Sequence, residues 1–218
     1  MSDYGPSLVE HDSTEDYTML SIGDLMSGLL LLFALLFMLA LMQIGELSQA
    51  RQQTRDKVLA TLGQEFRRAG VDVNITRDGE MVLPDRFFFD TGRFELKPEG
   101  AQRLRQMMPI FTRVIFARPE FSEEIQRVVI EGHTSQSGDY VGNMNLSLQR
   151  ANNVLLFIAG QADLPHRDEL LARLMGAGRG KIEAHAGEDE SDRKVLIRLQ
   201  FKSDEELLKQ LSGALRAG

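Results

Sequence analysis

A run of 21 uncharged residues, from position 25 to position 45, constrains this chain of 218 residues more than any other feature. Most of the run is leucine, methionine, phenylalanine and alanine, and no side of it is polar enough for an amphipathic surface helix. At about 1.5 Å per residue, a helix of this length spans roughly 31 Å, which matches the hydrocarbon core of a bilayer. The sequence therefore predicts one membrane-spanning helix over residues 17–45.

A soluble core helix and a signal peptide both fit this run less well. A buried helix of a soluble protein is rarely this long and this uniformly apolar. A cleaved signal peptide has a basic region before its apolar core, whereas residues 1–18 contain five acidic side chains and no Lys or Arg. We therefore interpret residues 1–16 as a flexible acidic tail and the run that follows as an uncleaved anchor.

An acidic residue, Asp24, stands at the start of the apolar run. An acid near the middle of a bilayer costs roughly 2.5–3.5 kcal/mol, and such residues usually face a partner helix or a water-filled path. Helical spacing puts Asp24 on one small, polar face with Ser21, Ser27 and Gly28, and small residues let another helix approach closely. The residues alone leave two interpretations open: a proton-carrying carboxylate, or an acid at headgroup level where a helix begins.

The segment around this acid resembles the membrane helix of MotB-type stator subunits, in particular the ZorB family of Zorya anti-phage systems; residues 21–29 read Ser-Ile-Gly-Asp-Leu-Met-Ser-Gly-Leu. The resemblance implies that Asp24 binds the translocated ion, for which we expect a proton rather than sodium. It also implies a MotA-like, ZorA-type membrane subunit that forms a ring, and a second copy of this chain within that ring. The Gly-Asp-Leu-Met-Ser-Gly step and the short linker favour the Zorya type over the flagellar type.

Charge and resemblance disagree about the direction of insertion. The sequence behind the run soon carries five Lys or Arg residues and the tail before it carries none; the five are Arg51, Arg55, Lys57, Arg67 and Arg68. The positive-inside rule therefore predicts a cytoplasmic carboxyl-terminal part. The resemblance implies the opposite for a single-pass protein of the cell inner membrane: a cytoplasmic amino terminus and a periplasmic domain. We expect the second topology, because of the domain that follows.

The sequence behind the membrane run predicts a linker helix and then an α/β domain. Residues 46–70 are rich in Gln, Arg, Glu and Ala and end in a glycine, as helices often do. An apolar stripe on this helix fits either a parallel dimer contact or packing on its own domain. Over residues 71–203 strand and helix patterns alternate, which predicts one mixed sheet covered by helices. Residues 204–218 predict a final amphipathic helix.

Three local assignments inside this domain follow from pattern alone. Residues 87–89, Phe-Phe-Phe, predict a buried strand, and residues 181–185 predict another. Residues 176–180, Gly-Ala-Gly-Arg-Gly, follow a helix pattern and predict a connection, not a phosphate-binding loop.

Three stretches between residues 81 and 201 resemble an OmpA-like domain. Residues 89–92 (Phe-Asp-Thr-Gly) with 96–100 (Leu-Lys-Pro-Glu-Gly) resemble its opening, and residues 192–195 (Asp-Arg-Lys-Val) resemble its closing strand. Residues 131–151 resemble its central signature, from Glu-Gly-His-Thr-Ser to the final Arg-Ala. The resemblance implies an α/β sandwich that binds the peptide stem of peptidoglycan without a covalent bond. Because peptidoglycan lies in the periplasm, this domain decides the topology that we expect.

The resemblance places the peptide site on five residues of the central signature: Thr134, Ser135, Asn143, Leu146 and Arg150. By residue type, Arg150 suits a charge-assisted, two-nitrogen pair with a carboxylate, Asn143 both donates and accepts, and Leu146 offers an apolar wall. On residue type alone a surface salt bridge of Arg150, with Glu131 or Asp139 as partner, is the commoner case. The resemblance of residues 131–151 to the OmpA-like central signature favours ligand binding by Arg150 over a surface salt bridge.

The chain departs from the OmpA-like pattern at one position. Ser135 stands where an aspartate that receives the ammonium group of the ligand is usual. A neutral hydroxyl bonds more weakly than a carboxylate, so we expect reduced affinity or a different preferred stem. Asp139 is a candidate substitute for the missing acid. His133 matches a structural position of the family, and we do not expect it to act as a base or a metal ligand.

Composition and missing motifs disfavour several other functions. The chain has no cysteine, which excludes disulfides, cysteine-ligated metals and a thiol nucleophile. The sequence contains no recognisable catalytic, phosphate-binding or metal-binding motif, so we expect no enzyme activity, cofactor or bound metal. A formal net charge of −7 argues against direct nucleic-acid binding.

The sequence as a whole predicts a proton-conducting stator subunit anchored to peptidoglycan, which acts in anti-phage defence. Two alternatives remain: a flagellar-type MotB subunit, or a passive wall anchor of the inner membrane in which Asp24 merely lies at the interface.

Overall fold

A computed structural model describes residues 13–187 and 189–202 of the chain, without the side chains of residues 13–21 and 47. The chain forms two units, Met1–Gln49 and Ala50–Gly218. The predicted final helix, at residues 204–218, lies outside the described residues, and so do residues 1–12 of the predicted acidic tail. The predicted fold class, a long apolar helix followed by a mixed α/β domain, is confirmed.

The first unit is built on a single long helix. Helix α1 extends over Ser13–Arg68, so the predicted membrane and linker helices are continuous in one element. Between residues 22 and 44 its large apolar side chains are more than half exposed, from 53% at Leu41 to 75% at Leu25. An apolar surface of this length is favourable in lipid and unfavourable in water, so this part of α1 is a candidate membrane span.

The second unit contains a five-stranded mixed sheet. Its strands are β1 (Asn74–Ile75), β2 (Glu80–Pro84), β3 (Ile125–His133), β4 (Leu174–Gly180) and β5 (Lys194–Phe201). The spatial order is β1-β2-β5-β3-β4, with β3 and β4 parallel and the other pairs antiparallel. Because β5 runs antiparallel to β3, its first residues are next to the last residues of β3, with Val195 opposite Gly132.

Helices cover one face of this sheet. After α1 come α2 (Asp85–Phe88), α3 (Pro98–Phe116), α4 (Pro119–Ser122), α5 (Tyr140–Ala159), α6 (Arg167–Leu171) and a 3-10 turn (Glu190–Asp192). Along β3, Val128 and Ile130 belong to the hydrophobic core, as expected for alternate residues of a strand with one covered face.

The end of α1 is part of that core. Val58, Leu62 and Phe66 are almost completely buried and pack in the same cluster as side chains of α3 and α5. Burying side chains of this size contributes about 1.5–3 kcal/mol each. This part of the predicted stripe therefore packs on its own domain rather than remaining available for a dimer contact.

The three local assignments made from pattern alone are wrong. Residues 87–89 do not form a strand, because β2 ends at Pro84 and the chain continues as the helical turn α2. Residues 176–180 belong to β4, since pairing with β3 outweighs their weak strand preference. Residues 181–185 form a turn and a loop instead of a strand.

Candidate functional sites

The predicted polar face of the membrane helix lies on α1. Ser21, Asp24, Ser27 and Gly28 all fall within Ser13–Arg68, and the side chain of Ser21 lies outside the described part. The hydroxyl of Ser27 donates to the carbonyl oxygen of Gly23 at 2.7 Å, so this polar group is satisfied within its own helix. Apart from its chain neighbours and the nearby backbone of its own helix, no described atom lies within 4 Å of the position that a Cβ on Gly28 would take. This face is therefore open to close approach by another helix.

The predicted peptide-site residues lie around the junction of β3 and α5. Thr134 and Ser135 directly follow β3, and the other three lie on α5 at steps of three and four residues, which brings them to one side of the helix. A Cβ on Gly132 would lie only 2.0 Å from the carbonyl oxygen of Ser147. Strand and helix therefore touch backbone to backbone, and only glycine permits this approach.

The loop between β3 and α5 is held by hydrogen bonds at both ends. The backbone N–H of Thr134 donates to the carbonyl of Gly180 at 2.9 Å, and Nδ2 of Asn143 donates to the carbonyl of Ser137 at 2.7 Å. Thr134 is 3% exposed, and its Oγ1 is buried without a hydrogen-bond partner among the described residues. Asn143 therefore positions the loop with its amide hydrogens and keeps its carbonyl oxygen for other contacts.

Asp139, the candidate substitute for the missing acid, caps the helix that carries three of the predicted peptide-site residues. It is the N-cap of α5, and its Oδ1 accepts the backbone N–H of Gly142 at 2.8 Å. This hydrogen bond lowers the pKa of Asp139 below its ordinary value. The cap occupies one of the two carboxylate oxygens, so a role for Asp139 in receiving a ligand ammonium group stays a prediction.

Arg150 is a buried residue rather than a surface one. It is 1% exposed, and its Nη2 lies 3.1 Å from Oδ2 of Asp85. Its Nε donates to the carbonyl of Arg93 at 2.9 Å, its Nη2 lies 3.4 Å from the carbonyl of Asp90, and its guanidinium lies over the ring of Phe89. The salt-bridge partners considered from sequence, Glu131 and Asp139, are wrong, because the chain folds Asp85 against this arginine instead.

Burial favours the uncharged form of both Arg150 and Asp85. Removal from water lowers the pKa of Arg150, and the negative charge of Asp85 offsets part of this effect. Removal from water raises the pKa of Asp85, and the positive charges of Arg150 and then Arg193 offset part of this rise.

The geometry leaves one nitrogen of Arg150 for a ligand. Nε and Nη2 are engaged by two carbonyls and a carboxylate, whereas Nη1 has no partner among the described residues. A carboxylate can therefore contact one nitrogen of Arg150, not the two-nitrogen fork that its residue type suggested.

A cavity of about 310 Å³ adjoins this pair on the Asp85 side. Its wall combines two acids, an aromatic ring, hydroxyls and basic groups, and includes Asp85, Phe89, Glu190, Ser191, Arg193 and Lys194. Sequence reasoning missed Asp85, which lies outside the central signature and 65 positions before Arg150. The signal available in the sequence was an acid directly after a proline at the end of a strand pattern, a position where chains turn.

Comparison with known proteins agrees with the fold and the motifs. Residues 88–194 match the OmpA family. Zorya protein ZorB of Escherichia coli O139:H28 (strain E24377A) is 26% identical over 212 residues, which cover 91% of this chain and 86% of that protein. Zorya protein ZorB of the Crooks strain of Escherichia coli is 28% identical over 165 residues, or 70% of this chain and 67% of that protein.

A solved structure shares the fold of the domain. The crystal structure of a MotB-like protein from Desulfovibrio vulgaris has a TM-score of 0.53 and 19% identity, and the match covers 72% of this chain and 97% of that one. The resemblance found in the sequence is thereby confirmed: the chain is similar to ZorB over nine-tenths of its length, carries an OmpA-like domain over residues 88–194, and shares the fold of a MotB-like protein.

Proposed function

We propose that this chain is the wall-anchored stator subunit of a MotA/MotB-like membrane motor that conducts protons and acts in anti-phage defence. One observation carries the proposal: a single chain joins an exposed apolar helix bearing Asp24 to an OmpA-family domain. The similarity to ZorB over nine-tenths of the chain supports the role in defence.

Asp24 is the proposed ion carrier. A charged carboxylate is costly in a bilayer and a protonated one much less so, which makes proton binding and release a change in how the helix sits against its surroundings. The partner in this step is a MotA-like, ZorA-type ring around two copies of the chain. Protons that bind and leave Asp24 move this ring relative to the anchored subunit.

The OmpA-family domain is the proposed anchor. A ring turns usefully only if the other subunit resists rotation, and a grip on the peptide stems of peptidoglycan supplies that resistance. Nη1 of Arg150 is available for a stem carboxylate, and Oγ1 of Thr134 is a buried polar group without an internal partner among the described residues. Ser135, Asn143 and Leu146 complete the proposed site.

This function requires a periplasmic domain and a cytoplasmic amino terminus. The basic residues behind the membrane run oppose that topology by charge count. Two of them, however, are engaged within the folded domain: Arg51 pairs with Glu124 at 3.5 Å, and Arg55 donates to the carbonyl of Lys202 and lies over Phe201. Folded domains are translocated largely regardless of their charge, so these arginines are weak topology signals.

The deciding experiment replaces Asp24 with asparagine, which keeps the shape and removes the titrating group. We expect Asp24→Asn to abolish proton flux in liposomes that contain the ring subunit, and to abolish protection of cells that carry the complete defence system. Binding of the chain to isolated cell-wall sacculi should stay unchanged.

Asp56→Asn is the matched control, since Asp56 is an exposed acid of the same helix whose carboxylate accepts a hydrogen bond from Gln52. This variant should retain flux and protection. Full protection by Asp24→Asn would reject the ion-carrier role and leave the passive wall anchor. If the unaltered chain did not bind sacculi, the proposed anchoring to peptidoglycan would be rejected.

A further inference from the structure

The sheet opens at the start of β1, and a cavity lies in the opening. The pairing of β1 with β2 begins at Asn74 and Val82, although β2 continues to Pro84. Residues 71–73 precede β1 and do not pair with the end of β2. Between this segment, the end of β2 and helix α3 lies a cavity of about 620 Å³, here called the edge cavity. Its volume is within the range of about 300–1,000 Å³ that is typical of ligand sites.

The edge cavity has an apolar floor. Three of its lining side chains are almost completely buried: Leu83, Phe88 and Met107. Phe87 lies beside them and is partly buried, and the guanidinium of Arg103 lies 4.1 Å from the centre of its ring. This contact holds the aromatic side chain in place. The floor is therefore suited to an apolar face of a ligand.

The rim of the edge cavity offers hydrogen bonds without a net charge. Its exposed lining residues include three amides: Asn74, Gln102 and Gln106. Within the described part of the chain these amides make no side-chain hydrogen bond, so each can both donate to and accept from a ligand. The charged lining residues are two acids and two arginines: Asp72, Glu99, Arg86 and Arg103. Their formal charges cancel, so the rim suits an uncharged ligand with many hydroxyl and amide groups better than a phosphate or a polyanion.

The edge cavity adjoins the smaller cavity beside Asp85. Val82, Pro84 and Arg86 line both cavities. Asp85 lines the smaller one and pairs with Arg150 of the proposed peptide site. These residues therefore connect the edge cavity to the neighbourhood of the proposed peptide site.

We propose that the edge cavity binds the glycan strand of peptidoglycan, as a second site beside the one for the peptide stem. The proposal rests on the proposed wall-binding function and adds a second class of ligand, an N-acetylated sugar. The C–H faces of the sugar rings pack over the floor, and their hydroxyl and N-acetyl groups bond to the three rim amides. Where a stem is attached, the lactyl carboxylate of the sugar is an amide, so the strand is uncharged there, as the rim favours.

An extended peptide added as a further strand is the other occupant that a sheet edge can take. Met81 and Val82 are already paired with β1, which leaves only Leu83 and Pro84 at the open end of β2. Pro84 has no N–H to donate to an added strand. The open edge is therefore too short for the ladder of main-chain hydrogen bonds that strand addition needs.

Two soluble probes test the proposal on the full chain in detergent. The first is D-lactoyl-L-Ala–γ-D-Glu–meso-diaminopimelate, which is a stem with its lactyl amide and without sugars. The second is the same stem carried on the disaccharide N-acetylglucosaminyl-N-acetylmuramic acid. By titration calorimetry we expect the unaltered chain to bind the second probe about tenfold more tightly, because only this probe has sugar rings for the edge cavity.

A variant that combines Gln102→Ala with Gln106→Ala should lose this preference, while its affinity for the first probe stays within about twofold. Both residues are exposed on α3, so the change removes no side chain from the core. Asn152→Ala is the matched control and should keep the preference, because Asn152 is an exposed amide of α5 that lines neither cavity. Thermal unfolding of each variant shows whether its domain is folded before binding is compared.

Four outcomes would overturn the proposal. The unaltered chain binds both probes equally, which would return the open edge to a protein segment; the double variant keeps the preference; the double variant weakens both probes alike; or the unaltered chain binds sacculi but not the disaccharide probe. If the unaltered chain bound neither sacculi nor either probe, the proposed wall-binding function itself would be rejected.

Discussion

Replacing Gly132 with alanine tests how closely β3 and α5 must approach for the peptide site to form. A Cβ at this position would lie 2.0 Å from the carbonyl oxygen of Ser147 and 2.8 Å from its carbonyl carbon. Real Cβ atoms essentially never come within 3.0 Å of a neighbour, so the strand and the helix would have to separate by about 1 Å. Both groups are backbone, and no side-chain rotation can relieve the clash.

The cost of this separation can be worked from the contacts. Forcing extra volume into a packed interior typically costs about 1–3 kcal/mol, and a clash between two backbones belongs at the upper end. The same shift would stretch the hydrogen bond that the N–H of Gly180 donates to Oγ of Ser147 at 2.9 Å. Such a hydrogen bond contributes about 0.5–1.5 kcal/mol to stability. We therefore expect Gly132→Ala to lower the free energy of unfolding of the domain by about 3–4 kcal/mol.

The assay is a urea titration of the full chain in detergent, followed by hydrogen exchange of peptides from β3 and α5. These peptides report on the domain alone, whereas the circular dichroism of the whole chain includes α1. Gly176→Ala is the matched control in β4, because its Cβ would meet only Cδ1 of Leu155 at 3.5 Å. This control should change stability by less than about 0.5 kcal/mol. Equal midpoints for the two variants would refute the close backbone contact.

Two further predictions concern buried charges. Arg150→Ala leaves Asp85 buried without its cation and should lower the free energy of unfolding by about 3–5 kcal/mol, whereas Arg150→Lys keeps a cation and should lose less; a loss below about 1 kcal/mol in urea titration would contradict this. The imidazole of His133, whose Nε2 lies 3.7 Å from Oε2 of Glu131, and then Arg198 and Arg179 hold the pKa of Glu131 below its ordinary value of 4.5. Its stabilising effect is therefore complete above that value and is lost as the pH falls through the folded pKa. Glu131→Gln should lower stability at neutral pH and flatten its decline on the acid side, as measured by unfolding midpoints between about pH 3 and pH 7; an unchanged decline would reject the role of Glu131.

The sequence predicted the architecture wherever the signal was local or carried by a motif. The apolar run defines α1 without reference to any other part of the chain, since its preference for lipid is a sum over neighbouring residues. The central signature located the β3–α5 junction and all five candidate peptide-site residues. Whether those five residues bind a ligand stays a prediction.

Prediction from pattern was wrong where pairing with distant strands decided the outcome. Residues 176–180 have poor strand preference, yet β4 forms because β3 supplies a parallel partner and glycine at position 178 leaves room for Leu148 and Ser147. Residues 87–89 look like a strand in isolation, but the chain has already turned at Pro84, and Phe88 and Phe89 enter the core from α2 and the residue after it.

The sequence by itself determined that this chain has a lipid-compatible helix with an acid near its start, followed by an OmpA-family domain. Only the tertiary structure decided the environment of Arg150: its partner Asp85, the carbonyls that occupy two of its nitrogens, and the cavity beside it. The reason is physical. Hydropathy is a property of consecutive residues, whereas the state of a buried charge depends on groups brought together from positions far apart in the chain.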